Sequence, residues 1–249
     1  MQYDSLAEIY HERMLKNAED SLAHQTWMLN MEKVMLKNRF RPKSLLDLCC
    51  GTGLSTFPWV GKGLEVYGVD ISKPMIDQAM RIAKRDNLAV LFLQQDATKL
   101  NMHRKFDAVT SVFDALNHIL KKSELQECFK GVHEILNKGG IFMFDMNTEA
   151  KQAWLHGRTR MEEFDNFSVI STPTYNKEKK LANFKEVYFI KRGKFYERRE
   201  ENIKETNHRP EEIKRMLRKA KFKRISFYDA DTLKKANRKT YRILYVAWK

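Results

Sequence analysis

The sequence predicts an α/β fold of the doubly wound kind: a mostly parallel seven-stranded sheet with an antiparallel last strand, plus a small antiparallel β insertion. Three observations carry this. Apolar strand-like runs alternate with helical repeats through the first 147 residues. A glycine pair, Gly51 and Gly53, separates the first such strand from the helix after it. The last two strand-like runs, "FKRISFYDA" and "TYRILYVAW", have only a loop between them and so pair antiparallel. Strands joined through helices take right-handed crossovers, lie parallel and are covered on both faces.

The elements follow in order. Residues 5–38 have helical spacing, with Leu6, Ile9 and Tyr10 on one stripe and Trp27, Met28, Met31 and Met35 on another. "SLLDLCC" is a short apolar run stopped by glycine, a buried strand. "LSTFPWVGK" fits a short helix ending near Gly61, and "LEVYGVD" a second strand. "SKPMIDQAMRIAKRDN" opens on Ser72 as N-cap and sets Met75, Ile76, Ala79, Ile82 and Ala83 on one face. "AVLFLQQD" and "FDAVTSVFD" are the third and fourth strands. "SELQECFKGVHEILNKGG" reads as a helix capped by Ser123 and stopped by glycine, and "IFMFDMN" as the fifth strand. Past Asn147 the helical period is lost. Residues 161–206 read as short strands, with "KRGK" a hairpin turn, and "RPEEIKRMLRKA" as a helix opened by Pro210.

Composition narrows the class. Of the 249 residues, 43% are hydrophobic and 31% charged, a globular balance. No run approaches the ~18 apolar residues of a membrane span. "MQYDSLAEIYHERM" carries acids where a secretion signal needs bases and an apolar core, so a cytoplasmic location is expected. Cys49 and Cys50 are sequence neighbours whose side chains diverge. With Cys128 alone and no CxxC, neither a disulfide framework nor a metal site is expected. The net charge of +14 is unevenly spread. From Asn176 onward there are 24 Lys or Arg against 10 Asp or Glu, while the first 175 residues hold 22 of each. Such a basic third can attract an anion or RNA, or it can be a solvated face, and glutamates are interleaved throughout it.

The chemistry concentrates at the carboxyl ends of the strands, where ligands of such sheets bind. Gly51 and Gly53 let the backbone turn sharply and approach a ligand. A dinucleotide loop needs a third glycine to close on a pyrophosphate, and Thr56 stands there instead. The loop suits a ligand without phosphates. Asp70, 19 residues after Gly51, can accept both hydroxyls of a ribose. Asp96 can accept an amino N–H of an adenine edge.

"LLDLCCGTG", "VYGVDIS", "QQDAT", "FDAVTSVFDALNHI" and "LNKGGIFMFDMN" together resemble the successive motifs of class I S-adenosylmethionine-dependent methyltransferases. The resemblance runs from residue 3 to about 147 and includes the closing helix and two strands. The opening "YDSLAEIYHERM" and the β-rich insertion are similar to the small-molecule branch, in which N-methyltransferases of sugars and amines are common. The resemblance implies a Rossmann-like domain over residues 1–147 and 207–249, with 148–206 as an inserted β-rich substrate lid. It implies S-adenosyl-L-methionine as cofactor, leaving S-adenosyl-L-homocysteine, and no metal. Asp47, Gly51 and Gly53 would shape the loop around the methionine part. Asp70 would hold the ribose, Ile71 and Met75 would flank the adenine, and Asp96 and Ala97 would hold its edge. Val112 and Phe113 would face the sulfonium, and Tyr10 and Trp27 would close the pocket. Lys221 stands where the family usually has glycine, at a helix end away from the site.

A methyl on a charged sulfur is already activated, so the protein must align a lone pair with it and exclude water. His118, Asp114 and Tyr10 are the candidates for handling a proton, and Asp145 and Asn147 for orienting substrate. The insertion's aromatics, among them Phe164, Phe167, Tyr188 and Phe195, are expected to turn partly toward the site as a lid. The expected partner is a small molecule with an amine or hydroxyl nucleophile, with no membrane and the chain a monomer or homodimer. The alternative is an RNA methyltransferase, acting on tRNA or another RNA through the basic C-terminal third.

Overall fold

The computed structural model describes residues 3–249, apart from the side chains of Ser5 and residues 18–21. Two helices, α1 (Ala7–Lys16) and α2 (Ala18–Lys37), lead into β1 (Ser44–Leu48), α3 (Phe57–Val60), β2 (Glu65–Asp70), α4 (Lys73–Arg85) and β3 (Val90–Gln94). Then follow β4 (Phe106–Ser111), α5 (Lys122–Ile135), β5 (Leu136–Asn147) and α6 (Glu149–Leu155). Strands β6 (Arg160–Glu163), β7 (Phe167–Asn176), β8 (Leu181–Arg192) and β9 (Phe195–Thr206) come next. The chain closes with α7 (Pro210–Lys219), β10 (Arg224–Asp229) and β11 (Arg242–Trp248).

Seven strands form one sheet in the order β10-β11-β5-β4-β1-β2-β3. β1 to β5 run parallel, and β11 lies antiparallel between β5 and β10. This is the architecture the sequence predicts. The order reverses between β1 and β4, which opens a crevice at their carboxyl ends. β1 is buried at all five positions, as a central strand covered on both faces must be. Its side chains alternate: Leu46 and Leu48 join the core under α5 and α7, and Leu45 joins the core under α2. Ser72 caps α4, its hydroxyl accepting from the Met75 N–H at 3.4 Å, and the five expected face residues are all buried.

Three element expectations are corrected. Ser123 is not the cap of α5; the helix starts at Lys122 and Lys121 is its N-cap, with no capping side-chain bond. The glycines after it lie within β5 rather than ending a helix, which stops at Ile135. The strands of the 161–206 stretch are not short: β7, β8 and β9 have 10, 12 and 12 residues. They form a second, four-stranded antiparallel sheet, β6-β7-β8-β9, with Gly193 at φ +62° in the β8–β9 turn. Helix α6, capped by the Thr148 hydroxyl, was not foreseen.

The aromatic expectation for this sheet is corrected as well. Phe167 and Tyr188 are buried against Leu6 and Ile9, Phe164 stacks on Phe167, and Phe195 is exposed. Helix α1 therefore lies between the second sheet and the crevice. Arg13 pins it there: its guanidinium donates to Glu162 at 3.0 and 3.2 Å, to Glu186 at 3.0 to 3.2 Å and to the Tyr188 hydroxyl at 2.6 Å. Among the described residues no helix is long and apolar enough to cross a membrane.

Candidate active site

A cavity of about 500 Å³ opens at the carboxyl ends of β1 to β4, within the ~300–1,000 Å³ range of small-molecule sites. Its wall includes Tyr10, Gly51, Asp70, Ile71, Met75, Asp96, Ala97, Val112, Phe113 and His118, all expected from the sequence. Six other expected residues lie behind the wall, among them Asp145 and Asn147, both buried. Asp47 is fully buried beneath the glycine loop and accepts from the hydroxyls of Ser55 at 2.6 Å, Thr56 at 2.7 Å and Thr110 at 3.1 Å. Gly53, at φ +84°, leaves no room for a side chain, since a Cβ would sit 2.7 Å from Phe57. Trp27 backs Phe113, with ring centroids 5.4 Å apart, and donates from Nε1 to Asp231 at 2.8 Å. Asp114 turns away toward Arg242, at 2.8 Å.

The loop geometry follows from these residues. Gly51 has φ +53°, and Cys49, a residue with a side chain, has φ +59°. That left-handed conformation costs a non-glycine residue free energy and persists only where the surroundings enforce it. The Gly51 N–H donates to Asp70 Oδ2 at 2.9 Å, and the Ser72 N–H donates to Asp70 Oδ1 at 2.9 Å. One carboxylate thus ties the β1 loop to the β2 loop. Burial raises its pKa despite these amides.

The turn after β4 is strained in the same way. Phe113 and Asp114 have φ +59° and +47° in succession. The Asp114 N–H donates to Asp145 Oδ2 at 3.0 Å, which anchors the turn to β5. This conformation sets the Phe113 ring in the cavity wall, stacked on His24 at 5.1 Å. Asp96 caps a short 3-10 turn, Oδ1 accepting from the Thr98 N–H and hydroxyl at 2.8 Å each, while the residue remains in the wall.

Tyr3 was not singled out from the sequence. It lies between Tyr10 and His118, with centroids 5.6 and 5.5 Å from them. Its seven-residue spacing from Tyr10 was the available signal. His11 Nδ1 and the Thr52 hydroxyl are 2.9 Å apart, so α1 also closes on the glycine loop. Arg242, Glu205 and Asn117 had no local signal, because pairing across the fold brings them to this end.

The residues present fit S-adenosylmethionine. A paired-oxygen acceptor ends β2, a second acid lies beyond β3, and an uncrowded glycine faces Tyr10, whose ring would lie 3.9 Å from an added Cβ. Fold and site together resemble those of class I S-adenosylmethionine-dependent methyltransferases. A methyltransferase-domain family model matches residues 45–140. A protein of Geobacillus sp. strain WCH70 named as a methyltransferase is 31% identical over 152 residues, which are 61% of this chain and 60% of that one. The chain thus spans less than two thirds of that relative. A solved S-adenosylmethionine-dependent methyltransferase from Clostridium acetobutylicum aligns over 99% of this chain and 98% of its own, at 27% identity and TM-score 0.85. The sugar N-methyltransferase KedS8 from Streptoalloteichus shares the fold at 18% identity and TM-score 0.78, over 98% of this chain and 92% of its own.

Proposed function

We propose that the protein methylates an amine nitrogen of a small molecule, with residues 148–206 serving as a substrate lid on the methyltransferase body. The observation that carries this reading is the composition of the cavity's far end. Tyr3, Tyr10 of α1 and His118 lie together in its wall, and Phe113 lines the same cavity. Aromatic faces suit an amine in either charge state. When bound, S-adenosylmethionine supplies an electrophilic methyl on a positively charged sulfur. Asp70 and Asp96 would hold its nucleoside, and Val112 and Phe113 would keep water from the reacting end. A neutral amine needs no base to present its lone pair. The proton it sheds afterwards can be taken at His118 Nε2, which lies 3.5 Å from the Tyr3 hydroxyl. Burial and then the neighbouring Tyr10 hold the Tyr3 hydroxyl well above its ordinary pKa, so it stays neutral beside that nitrogen.

The test is methyl transfer from S-adenosylmethionine to separate panels of amines, phenols and RNA, with S-adenosylhomocysteine as the readout. Turnover is expected on amines. In calorimetry, Asp70→Ala should weaken S-adenosylmethionine binding by about 2 kcal/mol or more, and NADH should give no heat. Turnover confined to RNA, or to phenols, would remove this reading.

A further inference from the structure

Three contacts join the second sheet's last strand to the turn that carries His118. His118 Nδ1 lies 3.0 Å from the Lys204 carbonyl oxygen. Asn117 Nδ2 donates to the Thr206 carbonyl at 2.8 Å. Between these two, the buried Glu205 side chain reaches the carboxylate of Asp114, the residue that begins the turn. Asn147 Nδ2 bridges the two acids, donating to Asp114 Oδ2 at 2.7 Å and to Glu205 Oε2 at 3.1 Å. Gln152 Nε2 donates to Glu205 Oε2 at 2.5 Å, and Arg242 neutralises Asp114 from 2.8 Å. Ligand atoms of Asp114, His118 and Glu205 all fall within 4.8 Å of one another. The guanidinium already beside Asp114 supplies the positive charge this cluster needs.

A carbonyl oxygen only accepts, so the contact with Lys204 requires a proton on His118 Nδ1. In the neutral imidazole that leaves Nε2 as the lone-pair nitrogen, and Nε2 is the one near Tyr3. The tautomer is therefore set by where β9 holds the Lys204 carbonyl. The neighbouring residue on β9 is Glu205.

We infer that Glu205 is a positioning residue: by binding Asp114 it fixes β9 against the 114–118 turn and so fixes the His118 tautomer that leaves Nε2 open toward the cavity. Burial, and then the Asp114 charge beside it, push the Glu205 carboxyl well above the usual range. It therefore meets Asp114 as a neutral donor. Glutamine can do the same, giving an N–H to Asp114 while its oxygen accepts from Asn147 and Gln152. Alanine cannot, and it removes the side-chain tie that joins β9 to the start of the turn.

The kinetic part of this inference rests on the amine-methylation reading; the tautomer part does not. The test is ¹⁵N–¹H correlation of the imidazole nitrogens in the full chain without substrate, on wild type, Glu205→Gln and Glu205→Ala. Wild type and Glu205→Gln are expected to hold His118 in the Nδ1–H form, and Glu205→Ala to show a mixture. Calorimetry should keep S-adenosylmethionine affinity within about threefold in all three, because Asp70 and Asp96 lie elsewhere in the wall. With an amine substrate, Glu205→Ala should lose kcat by about tenfold or more and Glu205→Gln should recover it. An unchanged His118 tautomer in Glu205→Ala would overturn the inference. So would a Glu205→Gln variant that binds cofactor normally yet behaves like alanine. A tautomer change without turnover on any amine would support the inference and remove only the functional reading.

Discussion

At the residue scale, the buried Asp47 carries a measurable cost. Burial pushes its pKa up to about 6, against the pull of the hydroxyls of Ser55, Thr56 and Thr110. A carboxyl whose folded pKa lies above its unfolded value keeps its proton longer when folded. Its contribution to stability is fully present below the unfolded pKa near 4 and is lost as pH rises through about 6. A shift of this size corresponds to about 3 kcal/mol. Asp47→Asn, neutral at every pH, should therefore gain on wild type by up to about 3 kcal/mol between pH 3.5 and pH 7. Denaturant titrations at several pH values would check this, and a constant difference would refute it. The resemblance implied that Asp47 shapes the loop; in the structure it lies beneath the loop. The sequence could not reveal that the three donors are hydroxyls, one of them from β4, since Thr110 is 63 residues away. Cavity-wall residues on strand ends were legible because topology alone puts strand ends in one place. Tyr3, Glu205 and Arg242 were not, because their positions depend on packing of α1, β9 and β11 that no local pattern encodes.

At the element scale, the end of α7 explains the departure at Lys221. The Lys221 N–H donates to the Arg218 carbonyl at 2.9 Å and the Phe222 N–H to the Leu217 carbonyl at 3.1 Å. Phe222 and Leu217 are both buried. This is a Schellman ending, which requires a left-handed residue at its hinge, and Lys221 has φ +70°. Glycine reaches that conformation without the Cβ clash. Lys221→Gly should raise stability by about 0.5–1 kcal/mol with no change in S-adenosylmethionine affinity. A thermal melt showing lower stability would contradict the argument. Elements with strong periodicity and local caps, such as α4 with Ser72, were legible to within a residue at their capped start. The second sheet was legible as β but not in strand length. β9 carries five consecutive charged residues, Glu197 to Glu201, and has the exposed pattern of a sheet edge that looks like loop. Helix α6 is short and has no long apolar stripe, so it left no pattern in the sequence.

At the scale of the whole molecule, the question is what the +14 charge does. Its excess lies after Asn176, and among the described residues six of the 24 cations there are paired with acids, three of these acids coming from the first 175 residues. Arg192 and Arg199 pair with Glu8 and Glu197, Arg198 and Lys185 with Glu200, and Lys180 with Glu212. Arg242 is buried against Asp114 and Asp145, and the Lys249 ammonium is taken by backbone carbonyls of α5 and the start of β5. Exposed pairs of this kind add about 0–1 kcal/mol each to stability, yet they cancel field at the surface where a phosphate would sit. In α7 the acids Glu211 and Glu212 stand in the first turn and Arg218 and Lys219 in the last, matching the helix dipole rather than forming a one-signed face. An RNA groove needs cations left unpaired along a track, each phosphate neutralised adding about 0.7–0.9 to the slope of log affinity against log salt. With the tracks interrupted, tRNA should bind weakly near physiological salt, and the slope between 50 and 200 mM salt should stay below about 2. Filter binding or fluorescence anisotropy at a series of salt concentrations measures both quantities. Tight binding with a slope of about 5 or more would mean that several cations leave their glutamates to meet phosphates. The basic third would then be a nucleic-acid surface, and the small-amine assignment would have to give way.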